Sequence, residues 1–128
     1  MTKLDRLVQA IIYHEGWINS IDRPADGGSI SYRNHNPGNL RSSLFQAGTK
    51  GGFAVFNSDE EGLFALKYDL IKKARGETVT GLNSESTLRQ LIYKYAPPGD
   101  NNNTERYLME VINMTGLPET MPLKELLP

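Results

Sequence analysis

The chain has 128 residues, with 14 Lys+Arg against 15 Asp+Glu and no cysteine. A chain of that length buries enough surface to hold a core without disulfides or a structural metal, which excludes a zinc ribbon, a disulfide scaffold and thiol chemistry. The net charge of −1, without runs of like charge, offers no footprint for nucleic acid, and no stretch approaches the ~18 apolar residues of a membrane span.

Leu4, Leu7, Val8, Ile11 and Ile12 recur at helical spacing, with Thr2 as N-cap and Gly16 as stop, and predict a helix over about 3–14. The same segment lacks a secretory pattern, because its apolar residues are spaced and interleaved with charges. Continuing the stripe 4, 8, 11, 15 puts Glu15 where an apolar residue is expected. A carboxylic acid there meets desolvation and the negative end of the helix dipole, both of which raise its pKa and suit a general acid. The plainer alternative is a solvated Glu15, or one paired with Arg33 or Arg41.

Residues 19–39 are dense in Ser, Asp, Asn, Gly and Pro and predict a long irregular connection. Leu40-Arg41 and 52–56 read as short strands, with 48–51 as the turn between them. Ser58 and Glu61 form a capping-box pattern ahead of Leu63, Leu66, Leu70 and Ala74, in a helix that ends in Lys72, Lys73 and Arg75 before Gly76. Leu88, Leu91, Ile92 and Tyr95 mark a third helix, terminated by Pro97 and Pro98. A fourth starts near Asn102 or Asn103, carries Tyr107, Leu108, Val111 and Ile112 on one face and stops at Gly116; residues 118–128 allow one or two further helical turns. The expected architecture is α+β in a single domain over 1–128.

The chemistry-bearing residues are few. His14 and His35 lack the spacing of a zinc motif, and neither a G-x-S-x-G elbow nor a phosphate loop is present, so no cofactor is expected. Residues 32–41 (YRNHNPGNLR) concentrate asparagines and arginines, which serve turns and also suit sugar hydroxyls and N-acetyl groups. Tyr95, on the apolar face yet at a helix end, suits a ring that packs with its hydroxyl directed outward.

Four motifs follow in order: His-Glu-Gly-Trp closing the first helix, Arg-Asn-His-Asn-Pro-Gly-Asn-Leu-Arg, Gly-Gly-Phe-Ala-Val-Phe-Asn-Ser-Asp-Glu-Glu-Gly-Leu, and Tyr-Ala-Pro-Pro-Gly-Asp-Asn-Asn-Asn-Thr-Glu-Arg-Tyr. Together, over about residues 4–117, they resemble a group of phage and prophage virion-associated proteins that look like compact relatives of soluble lytic transglycosylases and goose-type lysozymes. The resemblance implies a lysozyme-like fold with a cleft between a small β-lobe and a helical lobe. It also implies that Glu15 is the general acid acting on the bond between N-acetylmuramic acid and N-acetylglucosamine in bacterial peptidoglycan. Arg33, Asn36, Asn39, Arg41, Tyr95 and Tyr107 are the expected substrate contacts, the Tyr95-Ala96-Pro97 segment matching an aromatic motif near the reacting sugar.

Two departures from the transglycosylase pattern stand out. Gly16 replaces the usual Ser after the catalytic Glu, and Asn-Pro-Gly-Asn-Leu stands roughly where a Gly-Leu-Met-Gln type motif belongs. In a hydrolytic enzyme either Asp22 or Asp26 would serve as base to a water, Asp26 being preferred because Gly27-Gly28 gives its backbone freedom. An anhydro-forming enzyme needs neither. The alternatives are a non-catalytic virion or mobile-element protein that keeps the same scaffold for structural or glycan-binding purposes, and an interaction domain using a Tyr-rich face. The expected protein is a monomer made in the cytoplasm, reaching the periplasm or wall through a virion, holin, secretion component or carrier chain.

Overall fold

A computed structural model describes residues 1–16, 30–100 and 102–128. The architecture is α+β: helices α1 (Lys3–His14) and α2 (Ile30–Arg33), a hairpin of β1 (Gly48–Lys50) and β2 (Phe53–Val55), then α3 (Asp59–Arg75), α4 (Leu88–Tyr95) and α5 (Thr104–Thr115). Short 3-10 turns occupy Pro98–Asp100 and Leu123–Leu126. The chain clusters into two compact units, one of Met1–Ala10 with Leu70–Pro128 and one of Ile11–Asp69. Among the described residues no helix is long and apolar enough to cross a membrane.

Helix boundaries follow the local chemistry. Thr2 Oγ1 accepts from Asp5 N at 3.0 Å while Asp5 Oδ2 accepts from Thr2 N at 3.3 Å, a reciprocal cap for α1. Ser58 Oγ accepts from Glu61 N at 3.2 Å, and three acids in the first turn of α3 face three bases in its last, so the charges complement the dipole at both ends. Gly76, at φ 76°, ends α3 with its N–H on Lys73 O and that of Glu77 on Lys72 O, the paired bonds of a Schellman stop. Thr87 and Gln90 form a complete capping box on α4.

In the unit of residues 1–10 and 70–128, α4 packs on α5 through Leu88, Leu91, Ile92, Tyr107, Leu108 and Val111, all buried. The C-terminal segment is tied to the start of α4: Leu88 N donates to Met121 O at 2.9 Å, Leu123 N to Ser86 O at 2.8 Å, and Leu123 and Leu126 are buried. Thr104 Oγ1, itself buried, donates to Ala96 O at 2.6 Å and joins the start of α5 to the end of α4.

One exposed network links these helices. Arg89 donates to both oxygens of Glu105 at 2.9 and 2.8 Å and through Nε to Glu119 at 2.9 Å, and the Tyr93 hydroxyl donates to Glu105. The Arg89 bonds, with that from Tyr93, hold the Glu105 carboxyl below the usual carboxylate range, and the bond to Glu105 pushes the Tyr93 phenol up. The depressed Glu105 contributes its stability above the unfolded carboxylate range and loses it as pH falls through the folded value; Tyr93, being raised, contributes below its unfolded value and loses it as pH rises. Solvent screening keeps both effects small. In Arg89→Gln the NMR titration midpoint of the Glu105 carboxyl is expected to rise toward the ordinary range; an unmoved midpoint would contradict the pairing.

The other unit differs from the sequence expectation in three places. Gly48–Lys50, expected as a turn, is strand β1, paired antiparallel with β2 in the register Gly48↔Val55, Thr49↔Ala54, Lys50↔Phe53. The turn is Gly51-Gly52 at φ 62° and 82°, the doubly positive geometry that a two-residue hairpin loop needs. Leu40-Arg41 is not a strand. Leu40 O accepts from Ala54 N at 2.9 Å, but the neighbouring bond to β2 comes from the Asn36 side chain, so no ladder forms. Residues 30–33, expected within an irregular connection, form the helical turn α2.

Candidate active site

Glu15 directly follows α1. Its N–H still bonds Ile11 O at 2.9 Å, and Gly16, at φ 80°, turns the chain out of the helix with its N–H on Tyr13 O at 3.1 Å. The residue is half-buried. Ser31, 1 % exposed on α2, donates its hydroxyl to Glu15 O at 3.2 Å, and Asn39 Nδ2 approaches Glu15 Oε1 at 3.4 Å. Two parts of the chain after α1 therefore meet this residue, one at its backbone and one at its carboxylate.

The segment presenting Asn39 is built with unusual backbone economy. α2 ends in a Schellman arrangement, with His35 N on Tyr32 O at 3.2 Å and Asn36 N on Ser31 O at 2.8 Å. His35 holds the left-handed position, φ 52°, that glycine normally fills, and its Nδ1 lies 2.9 Å from Asp59 Oδ1 in the first turn of α3. Asn39 N then closes a turn onto Asn36 O at 2.9 Å, leaving Asn39 itself left-handed at φ 50°. Asn36 is fully buried and its amide replaces a peptide group: Nδ2 donates to Leu40 O at 2.8 Å and Ala54 O at 3.0 Å, and Oδ1 accepts from Leu40 N at 2.9 Å. Phe56 N donates to Asn34 O at 2.9 Å, fastening the other end of the segment to the chain just beyond β2.

α3 completes the seat. A Cβ on Gly62 would lie 1.9 Å from His35 O and 2.8 Å from Pro37 Cδ, so the helix backbone presses on the turn with no room for a side chain. Asn39 Oδ1 is buried and has no hydrogen-bond partner among the described residues.

The expected substrate contacts separate accordingly. Glu15 and Asn39 are brought together. Arg33 is exposed at the end of α2, and Arg41 is exposed with its guanidinium 4.6 Å above the Phe53 ring. Tyr95 ends α4 in the other unit, half-buried, with Lys73 Nζ 5.0 Å above its ring. Two expectations are corrected. Asn36 is no surface contact, because its amide is consumed by backbone groups at 0 % exposure; Tyr107 is 1 % exposed and belongs to the α4–α5 core. Asp22 and Asp26 lie outside the described residues.

No family model, curated protein or solved structure matches this chain. What the site can do follows from its own side chains. The Asn39 amide, donating to Oε1, marks that oxygen of Glu15 as an acceptor. Among the described residues no group of three or more His, Asp and Glu is placed to hold a metal. Ser31 and Gly62 are the supporting residues that sequence reasoning missed. Gly62 carried a signal, since a glycine inside an otherwise regular helix costs about 1 kcal/mol and calls for a packing reason.

Proposed function

We propose that the protein cleaves the glycan strand of bacterial peptidoglycan between N-acetylmuramic acid and N-acetylglucosamine, with Glu15 as general acid, and that its α+β fold is lysozyme-like. The supporting observation is the seat of Glu15: a half-buried carboxylate at the end of α1, its carbonyl held by Ser31 and one oxygen by Asn39. Such positioning is what proton delivery to a glycosidic oxygen demands.

In the reaction the Glu15 carboxyl gives its proton to the bridging oxygen as the C1–O bond breaks and the departing sugar develops oxocarbenium character. C1 is then captured by water, giving a reducing end, or by the sugar's own 6-hydroxyl, giving an anhydro ring. The proton released by the attacking oxygen restores the acid at Glu15 in the anhydro route and passes to Asp22 or Asp26, as base to the water, in the hydrolytic one. Asn39 holds the carboxyl; Arg41 and Arg33, exposed in the same unit, are the polar contacts assigned to the glycan.

The test is turbidity loss of purified sacculi. The native chain is expected to clear them, and Glu15→Gln, which keeps size and removes the acid, to lose at least about 100-fold in rate, the lower range of general-acid contributions. Equal clearing by both would overturn the assignment of Glu15. Sedimentation of both proteins with uncleared sacculi would favour a non-catalytic glycan-binding protein.

A further inference from the structure

A pocket lies in the unit of residues 1–10 and 70–128, and neither Glu15, Arg33, Asn39, Arg41 nor Tyr95 lines it. It is open, about 550 Å³ in volume, between the 80–86 connection and α4, and its lining includes Leu82, Ser86, Gln90, Tyr93, Lys94 and Pro97. None of its lining residues is acidic.

The hydrogen-bond pattern gives this pocket a sign. Two of its side-chain oxygens are engaged in capping, Ser86 Oγ accepting from Asn83 N at 2.9 Å and Gln90 Oε1 from Thr87 N at 2.8 Å, and the Tyr93 hydroxyl donates to Glu105. Three donor groups are left over. Among the described residues, the Ser86 hydroxyl proton, the Gln90 Nε2 protons and the Lys94 ammonium have no acceptor. Capping holds the Ser86 and Gln90 oxygens in place, so both side chains are positioned and their protons are left to serve a ligand. Tyr93, Pro97 and Leu82 supply apolar faces beside them.

We propose that this pocket binds a small monoanionic carboxylic acid with a flat apolar body, the carboxylate taking Lys94, Gln90 and Ser86 and the body lying along Tyr93 and Pro97. One cation balances one negative charge, which favours a carboxylate over a phosphate dianion. The ligand source is either the carboxyl end of a short peptide, such as a wall peptide, or a free aromatic or aliphatic acid; the carboxylate chemistry is common to both. The binding site stands on its own geometry and does not depend on the glycan reaction.

The experiment is an NMR titration of the whole chain with N-acetyl-phenylalanine, its primary amide, the free acid phenylpropionate and inorganic phosphate. Saturable shifts at the backbone amides of Ser86, Gln90 and Lys94 are expected for the two acids. Binding should be about tenfold weaker for the amide and for Lys94→Gln, the loss of one charge-assisted contact, and be restored by Lys94→Arg. Tighter binding of the N-acetyl amino acid than of phenylpropionate identifies a peptide end; the reverse identifies a free acid. Equal affinity for acid and amide, shifts centred elsewhere, no saturable shift, or phosphate binding tighter than both acids would overturn the proposal. Lys94 is exposed, so both variants retain the fold, which unchanged dispersion of the remaining amides verifies.

Discussion

Replacing Gly62 by alanine is expected to lower the melting temperature by roughly 8 °C or more, although the change improves the intrinsic helix propensity of α3. Two effects oppose each other. Alanine in a helix interior is favoured over glycine by about 1 kcal/mol. Against this, the new Cβ meets a backbone carbonyl oxygen at 1.9 Å and the Pro37 ring at 2.8 Å. Neither obstacle is the flexible end of a side chain, so α3 or the His35–Pro37 turn must move, and overpacking of that kind costs about 3 kcal/mol or more. The net loss is about 2 kcal/mol or more, which steric strain decides. Gly48→Ala is the control, since a Cβ there meets nothing within 4 Å and the position has no positive φ. Thermal unfolding followed by circular dichroism should show the first variant displaced and the second nearly unchanged; equal melting temperatures would remove the close approach from the account.

The second large effect is expected at Asn36. Asn36→Ala removes the donor to Ala54 O and the acceptor for Leu40 N, leaving two buried backbone groups without partners, while Leu40 O keeps its bond from Ala54 N. Each orphaned group costs about 1–3 kcal/mol, so the loss from the two is about 2–6 kcal/mol, a large part of a small domain's stability. Asn36→Asp keeps an acceptor for Leu40 N but loses both donations and buries a carboxyl, so it should be no better tolerated. Urea denaturation measures the loss, and faster hydrogen exchange at the Leu40 amide localises it. A change within about 0.5 kcal/mol would mean that water or backbone rearrangement replaces the amide. Because the Asn36 side chain also fixes Leu40, the residue next to Asn39, the variant is expected to disturb the Glu15 contact without touching Glu15 itself.

Much of this was legible in the chain. Thr2, Ser58, Asn103 and the glycines at 16, 76 and 116 announced helix ends because capping is local chemistry, set by a few neighbouring residues. The helical faces of α1, α4 and α5 were equally plain, and Tyr107 shows the cost of overriding them: its place beside Leu108 and Val111 already predicted burial. Strand β1 was hidden because Gly-Thr-Lys has weak strand character and is held by its pairing to β2. The Asn36 amide was hidden for a related reason. An asparagine between His and Pro reads as a turn residue, and only the fold shows that its side chain substitutes for a missing strand. At the candidate site, Glu15 was marked by an acid on an apolar stripe, whereas the meeting with Asn39 and Ser31 depends on contacts distant in sequence.

Mass measurement of the products tests the proposed claim that the Glu15 carboxyl delivers a proton to a glycosidic oxygen. Purified peptidoglycan incubated with the native chain should release muropeptides ending either in an anhydro sugar or, 18 mass units heavier by the mass of one water, in a reducing sugar. Glu15→Gln should release neither while retaining the native melting temperature. Soluble products of the same mass from both proteins, or none from the native chain under conditions where it is folded and bound to the wall, would contradict the claim.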